Sequence, residues 1–478
     1  MTIITKRWYS GDGFFYQEAQ VDSKFETFVG WKPDPVTSRQ VKYATWIAFL
    51  AWACAVYDFI LFGTLLPEIG RSIHLSEAGQ ASLASWVAAG TVIVALAVGP
   101  LVDRFGRRFG MIFTVGGAGV CSALTAGAGI ISPLVLVIIR SLSGLGYAEQ
   151  AVNGTYLSEL YGASNDKRLR ERRGFIYSLV QGGWPIGALA AAALTAVLLP
   201  LVGWQGCFIF AAVPSLMVAV LASRLRESPQ FEVAKRVERL KSHGMAKAAN
   251  QVARENNLHE HAARRGLLNS FRGAARRTTL VLSASHMLNW FAVQVFSVLG
   301  TTILTSVHGV SFSNSLAILL MSNAIAYAGY LTHGYLGDRF GRRNVISGGW
   351  MVGGIAFAGM LFGPHDVVMV VALYSIGQFF LIGPYSCVLF FVGESYHSSI
   401  RGTGSAIVNG LGPIGAIFAS IGAASLLANH GTWQTAAFWF GAVPCFASGF
   451  VVLLARKEPG HVEWPEEGAE FEVQSLMS

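Results

Sequence analysis

Gly99-Pro100-Leu101-Val102-Asp103-Arg104-Phe105-Gly106-Arg107-Arg108 is nearly written again as Gly334-Tyr335-Leu336-Gly337-Asp338-Arg339-Phe340-Gly341-Arg342-Arg343. Each copy follows an apolar run long enough to cross a membrane. A second pair lies downstream: Arg173-Gly174, Val180, Gly182 and Pro185-Ile186-Gly187-Ala188 recur at the same spacing as Arg401-Gly402, Val408, Gly410 and Pro413-Ile414-Gly415-Ala416. Two motifs repeating in the same order imply a duplicated membrane domain. Duplicated helical bundles with a site at the repeat interface are the architecture of secondary transporters.

Composition narrows the class. The 478 residues are 53% hydrophobic and 13% charged, with mean hydropathy +0.48. That is too apolar and too charge-poor for an ordinary soluble protein. A net charge of +8 would suggest nucleic acid in a soluble domain, but the basic residues lie between apolar spans. There they face lipid headgroups and set orientation, so the bilayer is the expected partner and nucleic acid is not. Cys54, Cys121, Cys207, Cys387 and Cys445 all fall inside apolar runs and read as small hydrophobes, without the spacing of a disulfide or a metal site. The polar and aromatic opening residues do not resemble a cleavable signal peptide, so the first span is expected to stay as an anchor.

Apolar runs of about 20 residues, enough for roughly 30 Å of hydrocarbon, number twelve. They cover 44–66, 80–101, 109–130, 133–160, 174–201, 204–223, 278–304, 313–335, 345–363, 366–393, 402–427 and 433–454. The expected fold is all-α: two pseudo-symmetric six-helix bundles, 44–223 and 278–454, joined by a central loop, 224–277, and flanked by tails 1–43 and 455–478. With the N-terminus in the cytoplasm, only Arg71 of the Lys and Arg residues falls outside and only Arg140 within a span. Both tails and the central loop are therefore expected in the cytoplasm. Lys235, Arg236, Glu238, Arg239, Lys241 and Lys247 alternate with apolar residues, which predicts short amphipathic helices on the inner face. His259-Glu260-His261 reads as solvated surface rather than a metal site.

Ionisable residues inside the spans carry the sharpest signal, because a buried unpaired charge costs several kcal/mol. Asp58 in the first span and Arg140 in the fourth both lie roughly 10–12 Å from the outer ends at 1.5 Å per residue. A carboxylate and a guanidinium at one depth can pair, and such a pair can exchange its partner for a proton or for a substrate carboxylate. Three readings stand: acid–base coupling at Asp58, substrate binding at Arg140 with Asp58 as counter-charge, or a static pair that locks packing. Glu149, nine residues from Arg140, projects from the opposite helix face, while Tyr147 shares the Arg140 face. Glu149 reads either as a packing residue or as a secondary proton group.

Gly106 and Gly341 suit tight turns between membrane helices. The charges around them (Asp103, Arg104, Arg107, Arg108, Asp338, Arg339, Arg342, Arg343) can reach Glu159, Glu394, Arg173 and Arg401 on the same face. These predict ion-pair networks that tie the inner face together and break when it opens, a gating role rather than phosphate binding. Polar and aromatic residues within apolar spans make a candidate cavity lining. They are Gln181, Trp184, Asn289, Trp290, Gln294, Asn323, Gln378, Tyr385 and Asn409, each of which also reads as a helix–helix hydrogen bond. His286 reads equally as a packing residue or a proton carrier, and His333 lies next to the inner loop.

These features resemble the major facilitator superfamily over about residues 44–455: the twelve spans, the two Asp-Arg-Phe-Gly-Arg-Arg loops, Arg140-x-x-x-Gly144-x-Gly146, and Glu394 through Arg401-Gly402-Thr403-Gly404. Arg226-Glu227-Ser228-Pro229 is similar to the segment closing the first half of sugar porters and metabolite:proton symporters. Ala51-Trp52 through Tyr57-Asp58-Phe59 and Leu65-Leu66-Pro67-Glu68-Ile69 resemble the first span of sialate- and lactate-type symporters. The resemblance implies alternating access, with Asp58 and Arg140 as the coupling pair. The acidic residue after the glycine patch, Glu149, stands one position earlier than in the family.

The expected function is proton-coupled uptake of a small organic anion, a carboxylate, across the cell inner membrane by a monomer without metal or cofactor. The anionic character rests on Arg140 as the only embedded cation and on the resemblance. The alternatives are a proton-coupled sugar or polyol porter, in which the pair serves coupling alone, and a nutrient sensor that keeps the fold without transport. No span carries the His or His/Glu spacing of an intramembrane metal enzyme.

Overall fold

A computed structural model describes residues 31–164, 166, 173–256, 270–271, 273–363, 366–396 and 401–455. Among the described residues the chain is helical apart from one isolated bridge between Val36 and Ser164. Among the described residues, ten helices are long and apolar enough to cross a membrane. The difference from twelve arises at two places. The run expected at 133–160 is broken into Pro133–Leu142 and Leu145–Gly162 by Ser143-Gly144, so neither piece qualifies alone. The runs expected at 174–201 and 204–223 join as Gly183–Ala222, which changes direction at Gly203 with φ +66°. The sequence signal differs between the breaks. Gly203 supplies a left-handed residue that other side chains resist, whereas Ser143-Gly144 carries no proline.

The break at Gly144 follows from packing. A Cβ there would lie 2.6 Å from the Thr91 Cα, so only glycine admits the Glu77–Phe105 helix so closely. Hydroxyl and carboxylate caps start many of the helices: Thr37 forms a capping box with Gln40, and Ser76, Ser132, Ser311 and Asp366 each accept from a first-turn N–H. This satisfies donors that hydrocarbon would leave bare. The amphipathic helices of the central segment are Pro229–Ser242 and Ala246–Glu255. They bury Val233, Val237, Leu240 and Val252 against one another and against Trp31. His259-Glu260-His261 lies outside the described residues.

The two repeated loops have different surroundings. Gly106 (φ +105°, ψ 165°) opens the Arg107–Ile131 helix. Glu227 covers that opening, its Oε1 accepting from the backbone N–H of Arg107 at 2.9 Å, Arg108 at 3.2 Å and Ser228 at 2.9 Å. A carboxylate on a helix N-terminus is held by the orphan donors and by the helix dipole. Gly341 (φ +86°) opens the Arg342–Phe362 helix, and a Cβ there would meet nothing within 4 Å. At Gly106 a Cβ would lie 2.2 Å from Glu227 Oε2.

On the face opposite these loops, the first and second parts of the chain touch backbone to backbone. Thr301 Oγ1 donates to the Thr64 carbonyl at 2.8 Å, and a Cβ on Gly63 would lie 2.1 Å from the Val298 carbonyl oxygen. Val293–Val298 is a π-helical turn. Tyr374 Oη and Gln378 Nε2 both donate to the Phe296 carbonyl there, the second at 2.8 Å, which satisfies a carbonyl that the wider turn has displaced.

The loop geometry makes a stability prediction. Gly341→Ala should lose about 1–3 kcal/mol from backbone strain alone. Gly106→Ala should lose more, because the new methyl also displaces the Glu227 cap. Thermal unfolding of both variants in one detergent checks this. Equal melting temperatures would mean that Glu227 moves aside at no cost.

Candidate functional site: a buried ion pair and an aromatic partition

Asp58 lies within the Ser38–Ser72 helix and Arg140 in the last turn of Pro133–Leu142, each 2% exposed. Arg140 Nη1 donates to Asp58 Oδ1 at 3.1 Å, and Nη2 donates to the Asp58 backbone carbonyl at 3.1 Å. Ser143 Oγ donates to Asp58 Oδ2 at 2.5 Å. The helix break places that hydroxyl, since Ser143 is the first residue past Leu142. The guanidinium lies between two rings, with its carbon 5.2 Å from the Phe62 centroid and 5.0 Å from that of Phe208. The rings add cation–π attraction where water is absent. Arg140 Nε bonds no protein atom.

One chamber adjoins this cluster, and a second lies beyond it. The first is lined by Arg140, Ser143, Phe59, Phe62 and Gln294, the second by Trp52, Gln181, Trp184, His286, Tyr330 and Asn409 among others. Tyr147 and Trp290 line both. These two belong to a closed circuit of four rings. Phe59–Tyr147, Tyr147–Trp290, Trp290–Trp184 and Trp184–Phe59 centroids lie 6.0, 5.5, 5.8 and 6.2 Å apart. Three rings come from the first part of the chain and Trp290 from the second, so the circuit partitions the chambers and also joins the two parts. Edge and tilted contacts at these distances are the favoured aromatic geometries.

The structure gathers most of the sequence-derived lining and separates the rest. Tyr147, Gln181, Trp184, Trp290, Tyr385 and Asn409 line the second chamber, and Gln294 the first. Asn289, Asn323 and Gln378 line neither. Asn289 Oδ1 accepts from Tyr385 Oη at 2.7 Å, Asn323 donates to the Leu319 carbonyl at 2.9 Å, and Gln378 holds the π turn. An amide in an apolar span finds a backbone or side-chain partner first. Glu149 is fully buried and accepts from Asn153 Nδ2 at 3.1 Å, and it also lines neither chamber. Trp52, Phe59, Gln150 and Tyr330 were not among the residues drawn from sequence, and His286 stood there only as a packing residue or a proton carrier. The i,i+4 spacing of His286 and Trp290 was the one legible hint.

At the loop face, Arg107 donates to Glu159 Oε1 through Nη2 at 3.0 Å and Nε at 3.2 Å, and lies 3.4 Å from Asp103. Arg342 pairs with Asp338 at 3.0 Å and with Glu394. Arg108 donates to the Ser223 carbonyl, and Arg343 to those of Leu453 and Ala455 at 3.3 and 3.0 Å. Arg104 and Arg339 lie over the neighbouring Phe105 and Phe340 rings. The side chains of Arg173 and Arg401 fall outside the described residues. Every one of these described ion pairs joins elements of the same part of the chain. The sequence-based expectation of ties across the inner face is corrected to that extent: each loop braces its own helices, because Glu159 and Glu394 end helices adjacent to their own loop.

The family model of the Major Facilitator Superfamily matches residues 48–333 and 282–478. The chain belongs to this superfamily. Membership makes it a multi-pass membrane transporter handling small molecules rather than an enzyme. It is 25% identical over 431 residues to the niacin transporter NiaP of Acinetobacter baylyi, covering 87% of this chain and 94% of that one. It is 27% identical over 381 residues to the gentisate transporter of Corynebacterium glutamicum, covering 78% of each. A solved D-xylose-proton symporter superposes with TM-score 0.62 at 18% identity, covering 88% of this chain and 98% of that one, a likeness of fold.

In this superfamily member the ion pair also sets a stability prediction. Arg140→Met leaves the Asp58 carboxylate buried beside apolar rings and should cost about 3–5 kcal/mol. Adding Asp58→Asn should recover most of that loss, since no unpaired charge remains. Unfolding of the single and double variants in detergent provides the comparison. A double variant no more stable than the single one would mean that the Asp58 charge is compensated elsewhere.

Proposed function

We propose that the chain is a proton-coupled carrier for a small organic anion, working by alternating access. In this reading twelve crossings form two six-helix bundles, 44–223 and 278–454. The tails and the 224–277 segment lie in the cytoplasm, and the carrier works as a monomer in the cell inner membrane. The observation that carries the reading is the Asp58–Arg140–Ser143 cluster, sealed from solvent yet bordering a chamber. The relatives add support: niacin and gentisate, the compounds in their names, are both ring carboxylic acids. A partition of four aromatic rings offers flat faces on which such a ring can stack.

The chemistry follows from charge bookkeeping in a low dielectric. With Asp58 ionised, the guanidinium is satisfied and has no reason to take up an anion. A proton on Asp58 removes that partner, and the Arg140 fork then favours a cargo carboxylate held through two parallel bonds. Proton and cargo are thereby bound together, and each stabilises the loaded state. Loss of both restores the internal pair and lets the empty carrier return. A half-loaded state leaves one buried charge uncompensated, which disfavours slippage. Glu149, away from both chambers, serves as a secondary proton group. The arginines and carboxylates of the duplicated loops act in gating by holding each set of helices rigid while the sets move.

Two variants test this reading in liposomes. Asp58→Asn cannot change charge and should lose accumulation of benzoate or nicotinate driven by a pH gradient while retaining exchange. Full accumulation by this variant would remove Asp58 from coupling. Arg140→Lys keeps the charge but not the planar fork, and should weaken binding of either acid about tenfold or more, on the order of one charge-assisted hydrogen bond. Binding as tight as the parent would remove Arg140 from the anion site.

A further inference from the structure

The second chamber contains more hydrogen-bond donors than the protein uses. Trp290 Nε1 donates to His286 Nε2 at 3.2 Å. An indole N–H only donates, so Nε2 must be the bare acceptor and the neutral ring carries its proton on Nδ1. That Nδ1 is buried and bonds no protein atom. The same holds for Trp52 Nε1, also a pure donor, and for the Tyr330 hydroxyl. His286 is 6% exposed, Trp52 1% and Tyr330 6%, and all three residues line this chamber.

Two of the amide oxygens nearby already accept a bond. Gln181 Oε1 accepts from Gln150 Nε2 at 2.9 Å, and Asn289 Oδ1 accepts from Tyr385 Oη. Buried polar groups are normally paired, and those left unpaired along a chamber wall mark what is meant to meet them. Three unpaired donors call for an acceptor.

We propose that the second chamber reads an oxygen or nitrogen acceptor on the cargo ring, at the edge opposite its carboxylate, through His286 Nδ1–H, Trp52 Nε1–H and the Tyr330 hydroxyl. This rests on the carrier reading, with the carboxylate at Arg140. A planar ring that enters between Tyr147 and Trp290, which line both chambers, places its carboxylate toward Arg140 and Ser143 and its far edge toward the three donors. His286, Trp52 and Tyr330 are then residues that set which ring acids are accepted.

The test uses the full chain in liposomes and three probes: benzoate, 4-hydroxybenzoate and 4-methylbenzoate. The last two are similar in size and differ in whether the far edge can accept a hydrogen bond. The parent should bind 4-hydroxybenzoate at least about tenfold more tightly than 4-methylbenzoate, the worth of one well-made buried hydrogen bond. His286→Leu and Tyr330→Phe should each move that ratio toward one. The ratio is insensitive to a general loss of cavity shape, which lowers both affinities together. Tyr330→Phe removes a single oxygen and guards against a failure of His286→Leu to fold. Benzoate binding with equal affinities for the two substituted acids, or a ratio unchanged in both variants, would overturn the inference and leave the carrier reading standing. Failure of all three acids to bind would overturn both.

Discussion

Everything else in this fold is arranged around one buried charge pair. Moving a carboxylate and a guanidinium out of water is costly, and their attraction offsets the cost only when the remaining donors and lone pairs are also satisfied. Here the Ser143 hydroxyl takes one carboxylate oxygen, Arg140 takes the other, and the second guanidinium nitrogen reaches the Asp58 carbonyl. Rings of Phe62 and Phe208 cover the faces of the guanidinium. Ser143 stands just past the end of Pro133–Leu142. Gly144 follows it, where the neighbouring helix leaves no room for a side chain. The interruption of the fourth run and the pair thus occupy one place in the fold.

The same logic extends to the other interruptions. Helices in hydrocarbon must account for each displaced carbonyl or N–H. The π turn at Val293–Val298 releases the Phe296 carbonyl, and Tyr374 and Gln378 satisfy it. The turn at Gly106 exposes helix N–H groups, and Glu227 satisfies them. At these two places irregular backbone carries dedicated partners, drawn from residues far away in sequence. The second repeated loop shows the contrast, since at Gly341 a Cβ would meet nothing within 4 Å.

Those long-range partners mark the limit of what the sequence could reveal. Helix rise alone brought Asp58 and Arg140 to one depth, and the structure places them in contact, because a depth estimate survives a small break between Arg140 and the next helix. Local spacing also picked out the glycines of the two loops and the amphipathic helices after residue 229. The Glu227 cap was not legible, since 120 residues separate it from Arg107 and nothing local announces the contact. Nor was the ring circuit, whose members come from helices whose relative rotation the sequence does not specify. Asn289, Asn323 and Gln378 looked like cavity lining because polarity in an apolar span marks a need for a partner without saying which partner meets it. The charged loops misled in a related way: complementary signs on one face suggested ties across it, while the nearest carboxylates stood on each loop's own helices.

That correction changes where resistance to opening must reside. The described ion pairs at the loop face each lie within one part of the chain, so separating the two parts there breaks none of them. Besides the packing of Arg401–Ala428 on Glu77–Phe105 and of Phe312–Phe340 on Gly183–Ala222, the two parts are joined by the Thr301–Thr64 contact on the opposite face and by the ring circuit between the chambers, in which Trp290 alone comes from the second part. Ring contacts differ from ion pairs in a way that suits a carrier. An ion pair broken in hydrocarbon leaves two unsatisfied charges, whereas a ring parted from its neighbour accepts any other flat apolar face. On the proposed reading, cargo entering between Tyr147 and Trp290 exchanges one stacking surface for another at small net cost. The free energy that biases the carrier between its states is then left to the charge cluster at Asp58, where proton and carboxylate act together.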